Sequence, residues 1–136
     1  MDKIVYTSDV TSIAAEQLTG FFVGWPNPPS SETLLRLLQA SALKVLAINE
    51  PKNQVVGYIT ALTDGVLFGY ISSLEVLPIH QKRGIGQHLV QRILEDMSDL
   101  YAIDLVCDPE VQLFYERFGL KHCSAMIARR YDKLFP

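Results

Sequence analysis

Apolar residues along this chain fall in short blocks whose spacing changes from two to nearly four, with turn residues between the blocks. Residues 3–7 (KIVYT) predict a strand. Asp9 or Thr11 is placed to cap a short helix running through Ile13, Ala14, Gln17 and Leu18. The stretch GWPNPPS at 24–30 interrupts regular structure with its prolines, and Ser30 or Ser31 then caps a helix carrying Leu34, Leu35, Leu37 and Leu38. Strands are expected at 44–48 (KVLAI), 55–62 (VVGYITAL) and 66–76 (VLFGYISSLEV), the last two joined by the tight-turn residues TDG into an antiparallel pair. Ile85, Leu89, Ile93 and Met97 recur every four positions and mark one face of a helix over 84–98. AIDLVC (102–107) is a strand that returns through this helix, which favours parallel pairing with its predecessor. A helix at about 109–118 and strand material from 120 to 131 complete the pattern. No repeat, low-complexity tract or linker divides the chain. The expectation is a single α+β domain over 1–136, its mixed and mostly antiparallel sheet flanked by helices around a central βαβ unit.

Composition narrows the function. The 136 residues are 49% hydrophobic, enough for one real core. A net charge of −3 argues against a general nucleic-acid binder. Cys107 and Cys123 have no metal-ligand or CxxC spacing, and His80, His88 and His122 form no HExxH or HxH pattern, so no metal is expected. The first residues, MDKIVYTSDV, lack the basic start and apolar core of a signal peptide, and no apolar run approaches the roughly 18 residues of a membrane span. A cytoplasmic domain without membrane attachment is expected.

The charge order at the long helix is inverted. A helix start carries about half a positive charge, which favours acidic neighbours. Here His80, Lys82 and Arg83 precede the helix, Glu95 and Asp96 sit toward its end, and no Asp or Glu occurs between Val76 and Leu94. The arrangement becomes favourable when an anion docks on the helix-start N–H groups. Gly84 and Gly86 would let the main chain approach that anion closely. The loop is neither a Walker A motif nor GxGxxG, since position 89 is Leu. The plainer reading is a basic turn.

These residues resemble the GNAT N-acetyltransferase superfamily. Its apolar strand followed by [QR]xxGx[GA] corresponds to SLEVLPIH and Gln81-Lys82-Arg83-Gly84-Ile85-Gly86, and DLVCDPEVQLFYERFGL (104–120) is similar to the family's next strand and helix. Leu120 stands where Phe is commoner, and Asp108-Pro109 where many members carry Asn. The resemblance implies acetyl-coenzyme A as donor, with its pyrophosphate on residues 82–87, Gln87 included. Its pantetheine arm would pair with main chain at Leu74 and Val76, and Asp108 would lie near the cofactor. It further implies Val76 N–H as oxyanion donor and Tyr115 as the acid that protonates the leaving thiolate; Tyr115 packing the helix on the sheet is the alternative. Glu75 is either a general base or a salt-bridge partner. Phe22 and Trp25 either wall the acceptor pocket or, in the case of Trp25, anchor a rigid loop in the core.

Three further residues carry open readings. Asp104 pairs with a basic residue or binds an amine; Cys107 is read as a packing residue rather than a nucleophile; Arg129 and Arg130 are expected on a solvated edge strand. The function implied is direct acetyl transfer to a primary amine of a small molecule or peptide. The alternative is a catalytically silent coenzyme A-binding regulatory or assembly module. Either is compatible with a monomer or a homodimer.

Overall fold

The computed structural model describes residues 1–134. Five strands form one sheet in the order of the chain: β1 (Ile4–Thr7), β2 (Leu43–Asn49), β3 (Gln54–Thr63), β4 (Phe68–Val76) and β5 (Ala102–Leu105). The first four are antiparallel and β5 joins β4 in parallel, as a strand returning through a helix should. That helix, α2 (Ile85–Asp96), buries Ile85, Leu89, Val90 and Ile93 on the sheet. Gly57 of β3 makes the approach possible, since a Cβ there would lie 3.3 Å from both Ile85 and Leu89.

Helix α1 (Ser31–Ala40) begins where Ser30 accepts the Thr33 N–H at 3.1 Å, and it buries Leu34 and Leu38. The expected helix through Ile13–Leu18 is only a 3-10 turn, Ala15–Leu18. Asp9 does not cap it. Its carboxylate accepts from Thr11 N–H at 2.9 Å, while Gln17 Oε1 takes the Ala14 N–H at 2.8 Å. This turn and the loop after it cover the sheet face opposite α2, where Phe21 meets Tyr58 edge-on at 5.2 Å.

Strand β4 starts two residues later than its apolar pattern suggests. Asp64 explains the delay: one carboxylate oxygen accepts the N–H groups of Val66, Leu67 and Phe68, prolonging the turn and holding this carboxyl below its usual range. The expected helix at 109–118 is a 3-10 turn (Pro109–Val111) followed by the short α3 (Gln112–Glu116). The expected strand at 120–131 does not form. Residues 121–130 have no regular structure and are exposed throughout, Arg129 and Arg130 included, so little burial is available to offset the entropy of ordering them in a ladder.

A bulge sets the geometry that matters most. Thr60 of β3 opposes Ser73, but the next residue, Ala61, opposes Ile71, so Ser72 is one residue in excess. Thr60 is fully buried, and its hydroxyl bonds both serines, Ser72 Oγ at 2.8 Å. Parallel pairing with β5 stops at the same place: Ile71 opposite Leu105 is the last pair. Beyond it β4 has no second strand beside it among the described residues, and the strand expected to reach Cys107 ends at Leu105.

Thr60→Val keeps the volume of this side chain but removes the hydroxyl shared by the two serines. Urea unfolding should show a loss of about 1–3 kcal/mol; unchanged stability would mean that the bulge does not depend on the shared hydroxyl.

Candidate active site

The segment Ser72–Val76 of β4 has a partner on one side only. Leu77 N–H donates to Val56 C=O at 2.8 Å, and Gly57 lies opposite Val76. In an antiparallel ladder the inward-bonding residues alternate, so Leu77, Glu75 and Ser73 bond to β3. The N–H and C=O groups of Leu74 and Val76 therefore face the opening left by β5. Gln81 closes part of it, its side-chain amide donating to Val76 C=O at 2.9 Å. The Val76 N–H stays available.

At the mouth of this opening lies the start of α2. Lys82 has φ +63° and Gly84, the residue before the helix, φ +83°, with residues of ordinary hand around them. Alternation of this kind curls successive amides toward one point. The first bond within the turn is from His88 N–H to Gly84 C=O. Among the described residues none accepts the N–H groups of 82–87, and no side chain caps the helix. A left-handed Lys costs about 1–2 kcal/mol, the kind of strain that collects at binding loops. A Cβ on Gly86 would sit 3.7 Å from Phe114 and 3.8 Å from Val76, ordinary contact. Packing alone does not require glycine at 86.

The basic residues divide the work unequally. Arg83 Nη1 donates to Asp2 Oδ2 at 2.7 Å, Asn49 donates to the other oxygen at 3.0 Å, and the buried His80 lies 3.8 Å away. The Arg83 hydrogen bond is the main reason that the Asp2 carboxyl is held below its ordinary value. Arg83 thus fastens the loop to the N-terminal segment, while Lys82, with no ion pair among the described residues, is the free cation at the helix start. No sequence signal joins Asp2 to Arg83 across 81 positions.

A cleft also runs along β5 and α3. Tyr70, Asp104, Cys107, Gln112 and Tyr115 line this cleft of about 720 Å³. Tyr115 is half-buried beside Cys107, and burial, followed by the charge of the Cys107 thiolate, pushes its phenol up to about 12. The Cys107 thiol is itself raised by burial and by Asp108, which keeps it protonated and poor as a nucleophile. Asp104 is exposed and forms no ion pair among the described residues. It faces the cleft across from Tyr70, its register partner. Asp108 is exposed and makes no side-chain cap on the turn it precedes. Phe114 faces inward, meeting Tyr115 and Phe118 edge-on.

On the opposite face of β4 lies the loop after the first 3-10 turn. Gly20 and Gly24 have φ of +92° and +84°, and so, unusually, does Phe22 at +63°. Glu75 holds this shape: its two oxygens accept the Phe22 N–H at 2.9 Å and the Val23 N–H at 3.2 Å. Charge-assisted bonds of about 1.5–3 kcal/mol suffice to offset the left-handed Phe. The Phe22 and Trp25 rings pack at 5.0 Å, and Trp25 is 47% exposed, which removes it from the core. Among the described residues no three His, Cys, Asp or Glu side chains gather as metal ligands would, and no helix is long and apolar enough to cross a membrane.

A profile of the acetyltransferase (GNAT) family matches residues 10–120. A Gibberella zeae protein named by inference as an acetyltransferase is 33% identical over 69 residues, which is 48% of this chain and only 39% of that relative. Among solved structures, a Deinococcus radiodurans R1 protein, also an acetyltransferase by inference, superposes with a TM-score of 0.93 at 46% identity, covering 96% of this chain and 91% of its own. A GNAT family acetyltransferase from Streptococcus pneumoniae TIGR4 superposes at 0.73 with 26% identity, covering 96% and 99%.

Because burial favours the neutral phenol, a spectrophotometric titration should lose a component near pH 12 in Tyr115→Phe. The sign for stability follows: the contribution is whole below the unfolded phenol value of about 10 and is lost as pH rises toward 12. Ionisation of Tyr115 near pH 10 would show that its ring is solvated.

Proposed function

The chain belongs to the acetyltransferase (GNAT) family, and on that premise we propose that it transfers an acetyl group from acetyl-coenzyme A directly to a primary amine of a small molecule or peptide. One observation carries the reading: a run of unaccepted amides, residues 82–87, opens onto a strand edge where the Leu74 main chain and the Val76 N–H face outward, Gln81 holding only the Val76 C=O. A pyrophosphate suits the first and an extended amide-bearing arm suits the second. Gln81, Arg83, Gly84 and Ile85 shape the seat, Lys82 supplies charge, and Gln87 contributes an amide. Asp108, next in the chain to the cleft residue Cys107, stands where the family more often has Asn.

The reaction needs a neutral amine that attacks the thioester carbonyl. A C–N bond forms, the C–S bond breaks, and the proton shed by the new ammonium ends on the thiolate. Val76 N–H is the donor placed for the oxyanion; one such donor contributes about 3–4 kcal/mol in a dry site. Tyr115 serves the sulfur. With its phenol near 12 against about 8.5 for a thiol, complete donation from the resting tyrosine is uphill. It acts instead as hydrogen-bond donor and relay for the amine's proton. Glu75 is poorly suited as base, because both its oxygens already carry backbone bonds. Phe22 and Trp25 form the acceptor wall.

Calorimetry should detect acetyl-coenzyme A, and a thiol-release assay over a panel of primary amines should detect turnover; binding without turnover would favour a silent coenzyme A module. Tyr115→Phe should lower kcat by about 10²-fold with donor affinity nearly intact; unchanged kcat would reject its role. Gly86→Val should weaken donor binding by about tenfold or more, measured at a temperature where circular dichroism shows the fold retained, since the branched side chain would crowd the helix start beside Phe114 and Val76. Donor affinity unchanged in this variant would move the donor elsewhere.

A further inference from the structure

Glu75 lies between the two halves of the site. Its main chain belongs to the strand whose neighbours, Leu74 and Val76, face the donor opening, and its side chain leaves by the other face. Val76 points toward α2, where its Cγ2 meets the Cβ direction of Gly86, whereas Tyr58, opposite Glu75, packs on Phe21 beneath the loop. The carboxylate ends on two consecutive amides of that loop. Those amides converge because Phe22 is left-handed, and the same turn brings Trp25 N–H back to Phe22 C=O at 3.2 Å. Without the carboxylate, two N–H groups would lose their acceptor and the loop would lose what holds Phe22 at φ +63°.

We propose that Glu75 is a positioning residue for the acceptor: it fixes the Phe22–Trp25 wall by accepting both amides of the left-handed turn, and takes no proton from the amine. This rests on the transferase reading, and it assigns specificity to the bond between a strand carboxylate and loop backbone rather than to a charge facing substrate. A fixed wall spares the acceptor the cost of ordering the loop as it binds, a saving that is the same in the ground state and the transition state. The expected signature is therefore on acceptor binding, with donor binding unaffected.

The test compares Glu75→Ala and Glu75→Gln with the unsubstituted chain. Amide exchange by NMR needs no substrate. In Glu75→Ala the Phe22 and Val23 amides should exchange at least about tenfold faster, with β2 and β3 unchanged. Trp25, the sole tryptophan, should shift its emission. Glu75→Gln, retaining one acceptor oxygen, should fall between. With acetyl-coenzyme A and the amine panel, Glu75→Ala should raise acceptor KM by about tenfold, leaving kcat and donor KM within about twofold. Two outcomes overturn the proposal: protection of both amides in Glu75→Ala, or a Glu75→Gln variant with intact protection, unmoved acceptor KM and a collapsed kcat, the mark of a base. No turnover by the unsubstituted chain would overturn the transferase reading instead, and the exchange data would still decide the clamp.

Discussion

The architecture depends on β4 having to satisfy one neighbour along its whole length and another along only half of it. The surplus residue at Ser72 is what permits this. A bulge adds twist and bends its own strand, and Thr60 stabilises the bend by bonding two serine hydroxyls in place of one. The cost of leaving ladder groups at Leu74 and Val76 without a second strand is moderated in part by Gln81, which caps Val76 C=O. An opening in the middle of a sheet is thereby held by covalent geometry and a few hydroxyls, not by a hole in the core. The core stays continuous beneath it, from Val45 and Leu46 through Ile59 to Leu89 and Ile93.

The helix start is balanced in a related way. Three basic groups next to a positive helix end would repel one another. The structure relieves this by tying Arg83 to Asp2, with buried His80 and Asn49 in the same cluster. What remains exposed at the turn is mostly backbone polarity, plus Lys82. Such a site attracts anions through oriented dipoles, which are less easily screened than a mobile side chain. It also leaves the N-terminal residues with a structural duty that their position at the chain's end would not suggest.

Much of this was legible in the sequence, and the misses share a cause. Periodicity located α2 and the central strands because burial of Ile85, Leu89, Ile93 and Met97, or of Val55, Val56 and Ile59, is a property of the local pattern. The inverted charge and the two glycines marked the helix start for the same reason. The Asp2–Arg83 pair and the Glu75 clamp were not legible, because each joins residues more than fifty positions apart by hydrogen bonds that leave no periodic trace. The bulge had a signal that is readable in retrospect: two adjacent serines in the middle of β4, where strand alternation would place only one polar residue on a face. The missing strand at 120–131 is the opposite case. Its composition suits a strand, but β-structure is a property of pairs, and among the described residues it pairs with no other strand.

Strand alternation at residues 74–76 has a consequence for how such a protein can diverge. Even-numbered positions serve one compartment with their backbone, and Glu75 serves the other with its side chain. Residues 20–25 touch the strand through a carboxylate that recognises only amides, whatever side chains those amides carry. The side chains at Phe22 and Trp25 can thus be rewritten while the anchorage stays the same and the start of α2 is left undisturbed. A scaffold wired in this manner can vary one loop at a time, with the amide-lined helix start held constant throughout.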